Sequence, residues 1–279
     1  MHHLPYFCIS INERCGVFKT NGAEEPEVDD LIKLLRLMGA DITRDKRTIV
    51  INGVRRLNGA EMQIMYDRNE VVTYALAAIA TQGNVVVSGT QREYLGAFFA
   101  ALDAVGAGWE VIDELSTRFY WKGLFKKTDI VTTPYPGFMT DWQAPWAFLA
   151  TQAAGVSSIH ETVFESRFSY ALELRKMGAK IDFYDPQVSN PKAFYNFNWS
   201  DKVEGYHQGI KIYGPTLLHE AVVEITDLRA GATLVLAALV ARGKSVIRGI
   251  EQIDRGYEKF DERLKILGAQ IKRVKETYD

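Results

Sequence analysis

A short pattern, x-apolar-Gly-Ala, returns four times along the chain: Leu37-Met38-Gly39-Ala40, Ala104-Val105-Gly106-Ala107, Lys176-Met177-Gly178-Ala179 and Ile266-Leu267-Gly268-Ala269. A chain with a fixed internal period is confined to folds assembled from like supersecondary units. Each copy closes a helix-like stretch, and glycine suits the left-handed residue that ends a helix. Three copies run on into strand-like segments containing Ile42, Ile181 or Ile271. A second glycine lies upstream of each: Gly16, Gly83, Gly155 and Gly243, at distances of 23, 23, 23 and 25 residues. The last three follow the apolar, helix-like stretches 74–80, 146–150 and 234–240, and each stretch is preceded by an acid, Asp67, Asp141 or Asp227.

The unit therefore reads acid, apolar helix, Gly, strand, amphipathic helix, Gly-Ala, strand. A helix without a polar face has to be buried on nearly all sides. That predicts an α/β (α+β) architecture in which sheets enclose helices. The interval between upstream glycines grows from 67 and 72 to 88 residues, which places an insertion near 183–206. The first unit is incomplete. Residues 1–15 contain no long apolar helix, so they read as a junction, and the N-terminus reads as cut in mid-unit.

The 279 residues suffice for one large or two ordinary domains. With 47% apolar and 24% charged residues, intrinsic disorder is excluded. A formal net charge of -2 argues against a general nucleic-acid binder. No apolar run approaches the roughly 18 residues of a membrane span, and the start lacks a signal peptide, so a cytoplasmic protein is expected. Cys8 and Cys15 form neither a disulfide framework nor a zinc-type spacing. No phosphate-binding loop, dinucleotide fingerprint or metal-binding His pair occurs, and His160, His207 and His219 read as scattered core or surface residues.

What remains is a set of acids and arginines at corresponding junctions of the units. A Pro/Gly loop, Thr132-Thr133-Pro134-Tyr135-Pro136-Gly137-Phe138-Met139-Thr140, delivers Asp141 to a helix start. Further on come Glu161 to Phe168, then Thr226-Asp227-Leu228-Arg229, then Ile253-Asp254-Arg255-Gly256-Tyr257. From spacing alone, Asp141 and Asp227 read either as N-caps or as carboxylates that take a proton from, or anchor, a substrate hydroxyl. Arg167, Arg229 and Arg255 read either as surface charge or as forks for a substrate with several negative charges, aided by helix N-termini. The 183–206 insertion carries Phe194, Tyr195, Phe197 and Trp199. It reads as a self-packed surface loop, with a substrate lid or a partner surface as the alternatives.

Several segments together resemble the UDP-N-acetylglucosamine 1-carboxyvinyltransferase family, the enolpyruvyl transferases of peptidoglycan synthesis. They are Asn21-Gly22-Ala23-Glu24-Glu25-Pro26-Glu27-Val28, Thr140-Asp141-Trp142-Gln143-Ala144, Glu161-Thr162-Val163-Phe164-Glu165-Ser166-Arg167-Phe168, Asp227-Leu228-Arg229-Ala230 and Ile253-Asp254-Arg255-Gly256-Tyr257-Glu258. The resemblance runs from about Gly16 to the C-terminus. It is weaker to the shikimate-pathway enolpyruvyl transferase, which shares the fold.

The resemblance implies inside-out α/β barrels of βαβαββ-type repeats. Residues 68–279 would form one near-complete barrel, and 1–67 the last repeat of another, with 1–15 unmatched. It implies transfer of enolpyruvyl from phosphoenolpyruvate to the 3-hydroxyl of UDP-N-acetylglucosamine, the first committed step of peptidoglycan synthesis and so a step toward cell shape and division. By motif position, Asp141 would contact and deprotonate that hydroxyl, and Val163 would meet the nucleotide sugar through its backbone. Arg167 and Arg229 would grip the phosphoenolpyruvate carboxylate, and Arg255 its phosphate. Asp227 would sit beside the reacting carbon as a catalytic acid/base or orienting group. Neither a cofactor nor a metal is implied, and the partners are the two small-molecule substrates, with no nucleic acid and no membrane. The family's N-terminal half, with its general-acid loop bearing Cys or Asp, has no counterpart here. The fragment alone is therefore expected to be inactive unless that half is supplied elsewhere. The alternatives are a non-catalytic remnant that binds a nucleotide sugar or a protein, and a shikimate-pathway enolpyruvyl transferase.

Overall fold

The computed structural model of the protein describes residues 16–19 and 21–274. Cys8 and Cys15, and the junction expected at 1–15, lie outside the described residues. The first unit comprises β1 (Gly16–Lys19), α1 (Pro26–Leu37), β2 (Asp41–Asp45) and β3 (Thr48–Asn52). The second comprises α2 (Arg68–Ala80), β4 (Asn84–Ser88), α3 (Gly96–Val105), β5 (Gly108–Val111) and β6 (Ser116–Tyr120). The third runs β7 (Asp129–Val131), α4 (Thr140–Ala150), β8 (Gly155–His160), α5 (Ser169–Lys176), β9 (Lys180–Tyr184), a short α6 (Pro191–Phe194) and β10 (Gly209–Gly214). The fourth runs β11 (Val222–Glu224), α7 (Leu228–Val240), β12 (Val246–Arg248) and α8 (Phe260–Ile266).

The sheets repeat as the sequence does. Strand orders β1-β3-β2 and β4-β6-β5 are the same antiparallel motif, and β8-β10-β9 repeats it with β7 added parallel to β8. The fourth unit shows only the parallel pair β11 and β12 on either side of α7. The strand expected at Ile271 is absent, since residues 269–274 run without regular structure. The four Gly-Ala glycines, Gly39, Gly106, Gly178 and Gly268, all take positive φ between 82° and 102°, as helix-ending residues that lack a Cβ can do without strain.

Helices α2, α4 and α7 pack on one another at the centre. Residues 71–79, 142–150 and 230–237 of these helices are buried on every face, as the lack of a polar stripe requires. Trp142 and Trp146 of α4 meet Phe98 and Phe138 at ring-centroid distances of 5.5–6.2 Å, and this aromatic group locks α4 to its neighbours. The sheets of the second and third units pack on these helices, and among the described residues the sheets do not join into a closed barrel.

The first unit keeps its own small apolar cluster of Ile32, Leu35, Ile42, Ile49 and Ile51. Its tie to the rest passes through Arg68, the first residue of α2, which is 2% exposed. The Arg68 guanidinium grips both carboxylate oxygens of Glu27 at 2.9 and 2.7 Å and lies over the rings of Tyr135 and Trp142.

At the far end of α4 the chain of β10 comes within touching distance of the helix. A Cβ on Gly214 would stand 2.3 Å from the Ala153 carbonyl and 2.9 Å from those of Ala150 and Thr151. These are backbone atoms of a buried helix end, so relief requires moving β10 off α4. Gly214→Ala is expected to cost about 3 kcal/mol and to lower the melting temperature by roughly 6–12 °C, read by thermal denaturation. A variant that melts with the parent would show that β10 and α4 are less tightly apposed.

Candidate active site

The Pro/Gly loop between β7 and α4 is closed on itself. Thr133 N–H donates to Phe138 C=O and Gly137 N–H to Pro134 C=O, each at 2.9 Å. That closure sets where α4 begins. Met139 is its N-cap and makes no side-chain cap bond, so Asp141 stands inside the first turn rather than capping it. Its carboxylate serves a different purpose. Oδ1 accepts Arg167 Nη2 at 2.9 Å and Arg229 Nε at 3.4 Å. Asp227 and Asp67 behave the other way. Asp227 is the N-cap of α7, accepting the N–H groups of Arg229 and Ala230 at 2.9 Å, and Asp67 caps α2 through Asn69 N–H at 2.7 Å. The same acid-before-helix pattern thus hides two roles.

The two guanidiniums are held differently. Arg167 sits at the end of the loop between β8 and α5, with Phe164 beneath it at 4.6 Å and a second bond to Thr140 Oγ1 at 3.2 Å. Arg229 is the second residue of α7 and lies against the ring of Tyr257, whose hydroxyl accepts Nη1 at 3.1 Å. That hydroxyl is 2.8 Å from Thr73 Oγ1 of α2. Burial works against the charge on Arg229, but Tyr257 and Asp141 outweigh it, so its pKa is raised further above its already high ordinary value. Burial likewise pushes the Tyr257 hydroxyl up, so it is neutral and able to donate or accept. The Asp141 carboxylate and the Arg167 and Arg229 side chains retain 28%, 27% and 14% of their accessibility, so the cluster is partly exposed.

Glu161 underlies this cluster. It is fully buried at the end of β8. Oε1 accepts the N–H groups of Val163 at 2.6 Å and Phe164 at 3.1 Å, while Oε2 accepts Thr140 Oγ1 at 2.7 Å and Gln143 Nε2 at 3.1 Å. One carboxylate therefore joins the first turn of α4 to the loop that carries Arg167. Gln143 extends the frame to the Arg167 carbonyl and to the Tyr170 hydroxyl. Burial raises the Glu161 pKa, and the donors around it lower it only in part. The Val163 N–H is thus engaged by Glu161.

Of the residues singled out from sequence, Asp141, Arg167 and Arg229 are brought together, with Val163 on the adjoining loop. Asp227 stands behind Arg229 as a cap, and its Oδ2 accepts Ser169 Oγ at 3.4 Å. Arg255 is exposed at the end of the 3-10 turn Ile250–Arg255 and bonds Gln252 Oε1 at 3.1 Å. It does not join the cluster, although Tyr257, two residues on, does. Sequence reading assigned no role to Glu161, Gln143, Tyr257 or Thr73. For Glu161 the available signal was an acid directly after a strand, a position that is costly to bury unpaired. A cleft of about 650 Å³ lies elsewhere, between Glu24, Lys33, Arg36, Arg44 and Tyr135. Its walls alternate in charge and contain none of the clustered arginines. Among the described residues no three His, Cys, Asp or Glu side chains gather as metal ligands would, and no helix is long and apolar enough to cross a membrane.

The family model described as EPSP synthase (3-phosphoshikimate 1-carboxyvinyltransferase) matches residues 12–264. The UDP-N-acetylglucosamine 1-carboxyvinyltransferase of Acidobacterium capsulatum is 40% identical over 260 residues, covering 93% of this chain and 55% of that protein. UDP-N-acetylglucosamine 1-carboxyvinyltransferase 2 of Carboxydothermus hydrogenoformans is 42% identical over 258 residues, covering 91% and 56%. The chain thus spans just over half the length of the curated relatives it matches. Among solved structures, the enolpyruvyl transferase NikO from Streptomyces tendae superposes with a TM-score of 0.76 at 25% identity, covering 91% of this chain and 56% of that one. EPSP synthase from Acinetobacter baumannii gives 0.67 at 18% identity, covering 93% and 58%, a likeness of fold.

Proposed function

The chain belongs to the EPSP synthase family of enolpyruvyl transferases, and from that premise we propose that it carries the anion-gripping half of a site that transfers enolpyruvyl from phosphoenolpyruvate to the 3-hydroxyl of UDP-N-acetylglucosamine. The observation that supports this most is the single Asp141 oxygen shared by Arg167 and Arg229. A sugar hydroxyl is a weak nucleophile and needs a carboxylate in hydrogen-bond reach to take its proton as it attacks. Phosphoenolpyruvate carries a carboxylate and a phosphate, and planar guanidinium forks suit both.

In this reading the hydroxyl oxygen bonds to C2 of phosphoenolpyruvate while its proton passes to Asp141. A proton reaches C3 from a general acid that this chain's matched motifs do not include. A proton then passes from C3 to the conjugate base of that acid as the C2–O bond to phosphate breaks, restoring the double bond and releasing phosphate, and the proton held by Asp141 passes to solvent. Arg167 and Arg229 hold the carboxylate, and Arg255 would reach the phosphate on movement of its exposed turn. Val163 meets the nucleotide sugar through its backbone, and Asp227 keeps the start of α7, and with it Arg229, in position. Residues 68–279 form one family domain and the first unit part of another, the remaining length of the relatives supplying the rest of the cleft. The setting is cytoplasmic peptidoglycan synthesis, upstream of cell shape and division. The shikimate-pathway substrate is less favoured, because about 40% identity is shared with relatives named for UDP-N-acetylglucosamine and 18% with a solved EPSP synthase.

Calorimetric titration tests the reading. The chain should bind phosphoenolpyruvate and UDP-N-acetylglucosamine, and Arg167→Ala should weaken phosphoenolpyruvate by about 2–3 kcal/mol, roughly 30–150-fold in Kd. Binding of shikimate 3-phosphate in preference to the nucleotide sugar would overturn the choice of acceptor.

A further inference from the structure

The hairpin between β9 and β10 carries more chain than the fold needs. In the first unit the corresponding strands, β2 and β3, are joined by Lys46-Arg47 alone, and in the second, β5 and β6 are joined by residues 112–115. In the third, Tyr184 pairs directly with Gly209, yet residues 185–208 intervene, a segment as long as the 183–206 expected from spacing but shifted two residues toward the C-terminus. Two or four residues close the same turn elsewhere in this chain, so the extra segment does not serve the sheet.

Its contacts run to the site. Asn196 N–H donates to Thr162 C=O at 2.7 Å, and the Gln208 side chain, 1% exposed, donates to Glu165 C=O at 2.7 Å. The Gln208 carbonyl accepts Glu161 N–H at 2.8 Å. The Tyr195 hydroxyl stands 3.0 Å from His160 Nε2, and Phe194 stacks on the same imidazole. Burial lowers the His160 pKa, so the ring meets Tyr195 uncharged. The segment thus touches His160, Glu161, Thr162 and Glu165 in turn along the loop that ends in Arg167.

The segment is also stiff enough to act as a support. Tyr195 stacks on Trp199 at 4.5 Å, with Phe197 beside both and Lys202 over the Trp199 ring. Asp185 ties the two ends, accepting Lys202 Nζ at 2.9 Å, His207 Nδ1 at 3.1 Å and Gln208 N–H at 3.3 Å. Burial would raise the Asp185 pKa, but these donors outweigh it and lower it, so the tie stays charged.

We infer that residues 185–208 are a positioning element for the nucleotide-sugar acceptor: they brace the loop 161–167 from outside, as Glu161 does from within, and hold the Val163 backbone and Arg167 in their binding geometry before a ligand arrives. A preformed loop binds more tightly because its ordering entropy is not charged to the binding step. The ligand half of this inference rests on the transferase reading above, whereas the brace itself does not.

The test replaces residues 186–207 with Asn-Gly, a two-residue turn that suits a hairpin, so that Asp185 and Gln208 remain. Hydrogen exchange is followed at the amides of Thr162, Val163, Phe164 and Glu165. Their exchange should be at least tenfold faster in the variant, while the core amides of α4 are unchanged. The affinity for UDP-N-acetylglucosamine should fall about tenfold or more, which loss of a merely decorative loop would not cause. Unchanged loop exchange in the folded variant, or equal affinity of the two forms, overturns the brace. Should the replacement fail to fold, Tyr195→Ala, which loosens the aromatic cluster without touching strand pairing, must raise the same rates at least threefold, and failure to do so is equally decisive. If the parent chain binds no UDP-N-acetylglucosamine, the acceptor assignment fails, and loop exchange alone decides the brace.

Discussion

In a chimera that takes the remaining length from the Acidobacterium capsulatum relative, Asp141→Asn is expected to lower kcat by about 100-fold or more, while inorganic phosphate binds several-fold more tightly. The first effect follows from loss of the group that takes the hydroxyl proton. The second follows from the shared Oδ1. In the parent, that carboxylate partly neutralises Arg167 and Arg229. Two unit charges about 4 Å apart near a protein surface interact by about 4 kcal/mol. The site is a quarter open and the anion sits beyond the pair, so about 1 kcal/mol, or roughly fivefold in Kd, is the reasonable share. Stability should barely move. Asp141 makes no cap bond, and a first-turn acid contributes about 0.3–1 kcal/mol through the helix dipole. Steady-state kinetics, phosphate titration and melting curves on one variant separate the outcomes. Retained kcat with a melting temperature lowered by several degrees would mean that Asp141 is structural after all.

That contrast between Asp141 and Asp227 marks where sequence stops being informative. Both lie at the head of an apolar helix, 14 and 16 residues before the unit's glycine, Gly155 or Gly243. One is the cap and one is the partner of two arginines, and the difference is where the helix begins relative to the acid, by two residues. Helix starts are set by the local turn, here the closure of the Pro/Gly loop, which spacing does not reveal. The architecture was legible for a physical reason. A helix with no polar face has no stable place at a surface, so residues 74–80, 146–150 and 234–240 announce a central bundle, and Gly-Ala announces each helix end. The long-range polar frame was not legible. Tyr257 meets Thr73 across 184 positions and Arg68 meets Glu27 across 41, and no period in the sequence encodes such pairs. The aromatics of the insertion suggested self-packing, which is observed. The backbone bond from Asn196 to Thr162, which gives the insertion its bearing on the site, leaves no mark on residue type.

Glu161 is the buried group on which the site's geometry most depends, and its removal should be felt in stability as much as in binding. Glu161→Ala takes the acceptor away from four donors, Val163 N–H, Phe164 N–H, Thr140 Oγ1 and Gln143 Nε2, of which Gln143 alone keeps another, the Arg167 carbonyl. A buried donor left unsatisfied costs about 1–3 kcal/mol. The loop can swing the Val163 and Phe164 amides toward water, so these costs do not sum, and a loss of about 3–5 kcal/mol is expected. That corresponds to roughly 6–20 °C in melting temperature for a chain of this size. Glu161→Gln should fall between. Its oxygen can keep one pair of donors, but its NH2 then faces the other pair, donor against donor. Acidity offers a second reading of the same residue. Because burial raises the Glu161 pKa, the folded state holds its proton more firmly than the unfolded chain does. That contribution to stability is complete below the ordinary glutamate value of about 4.3 and is lost as pH rises through the higher, folded value. Glu161→Gln cannot titrate, so it should remove this component of the acid-side slope, and the gap between parent and variant should narrow as pH rises. If both substitutions melt with the parent at every pH, the carboxylate does not hold α4 to the Arg167 loop, and the geometry of the site must be maintained from outside, by the insertion alone.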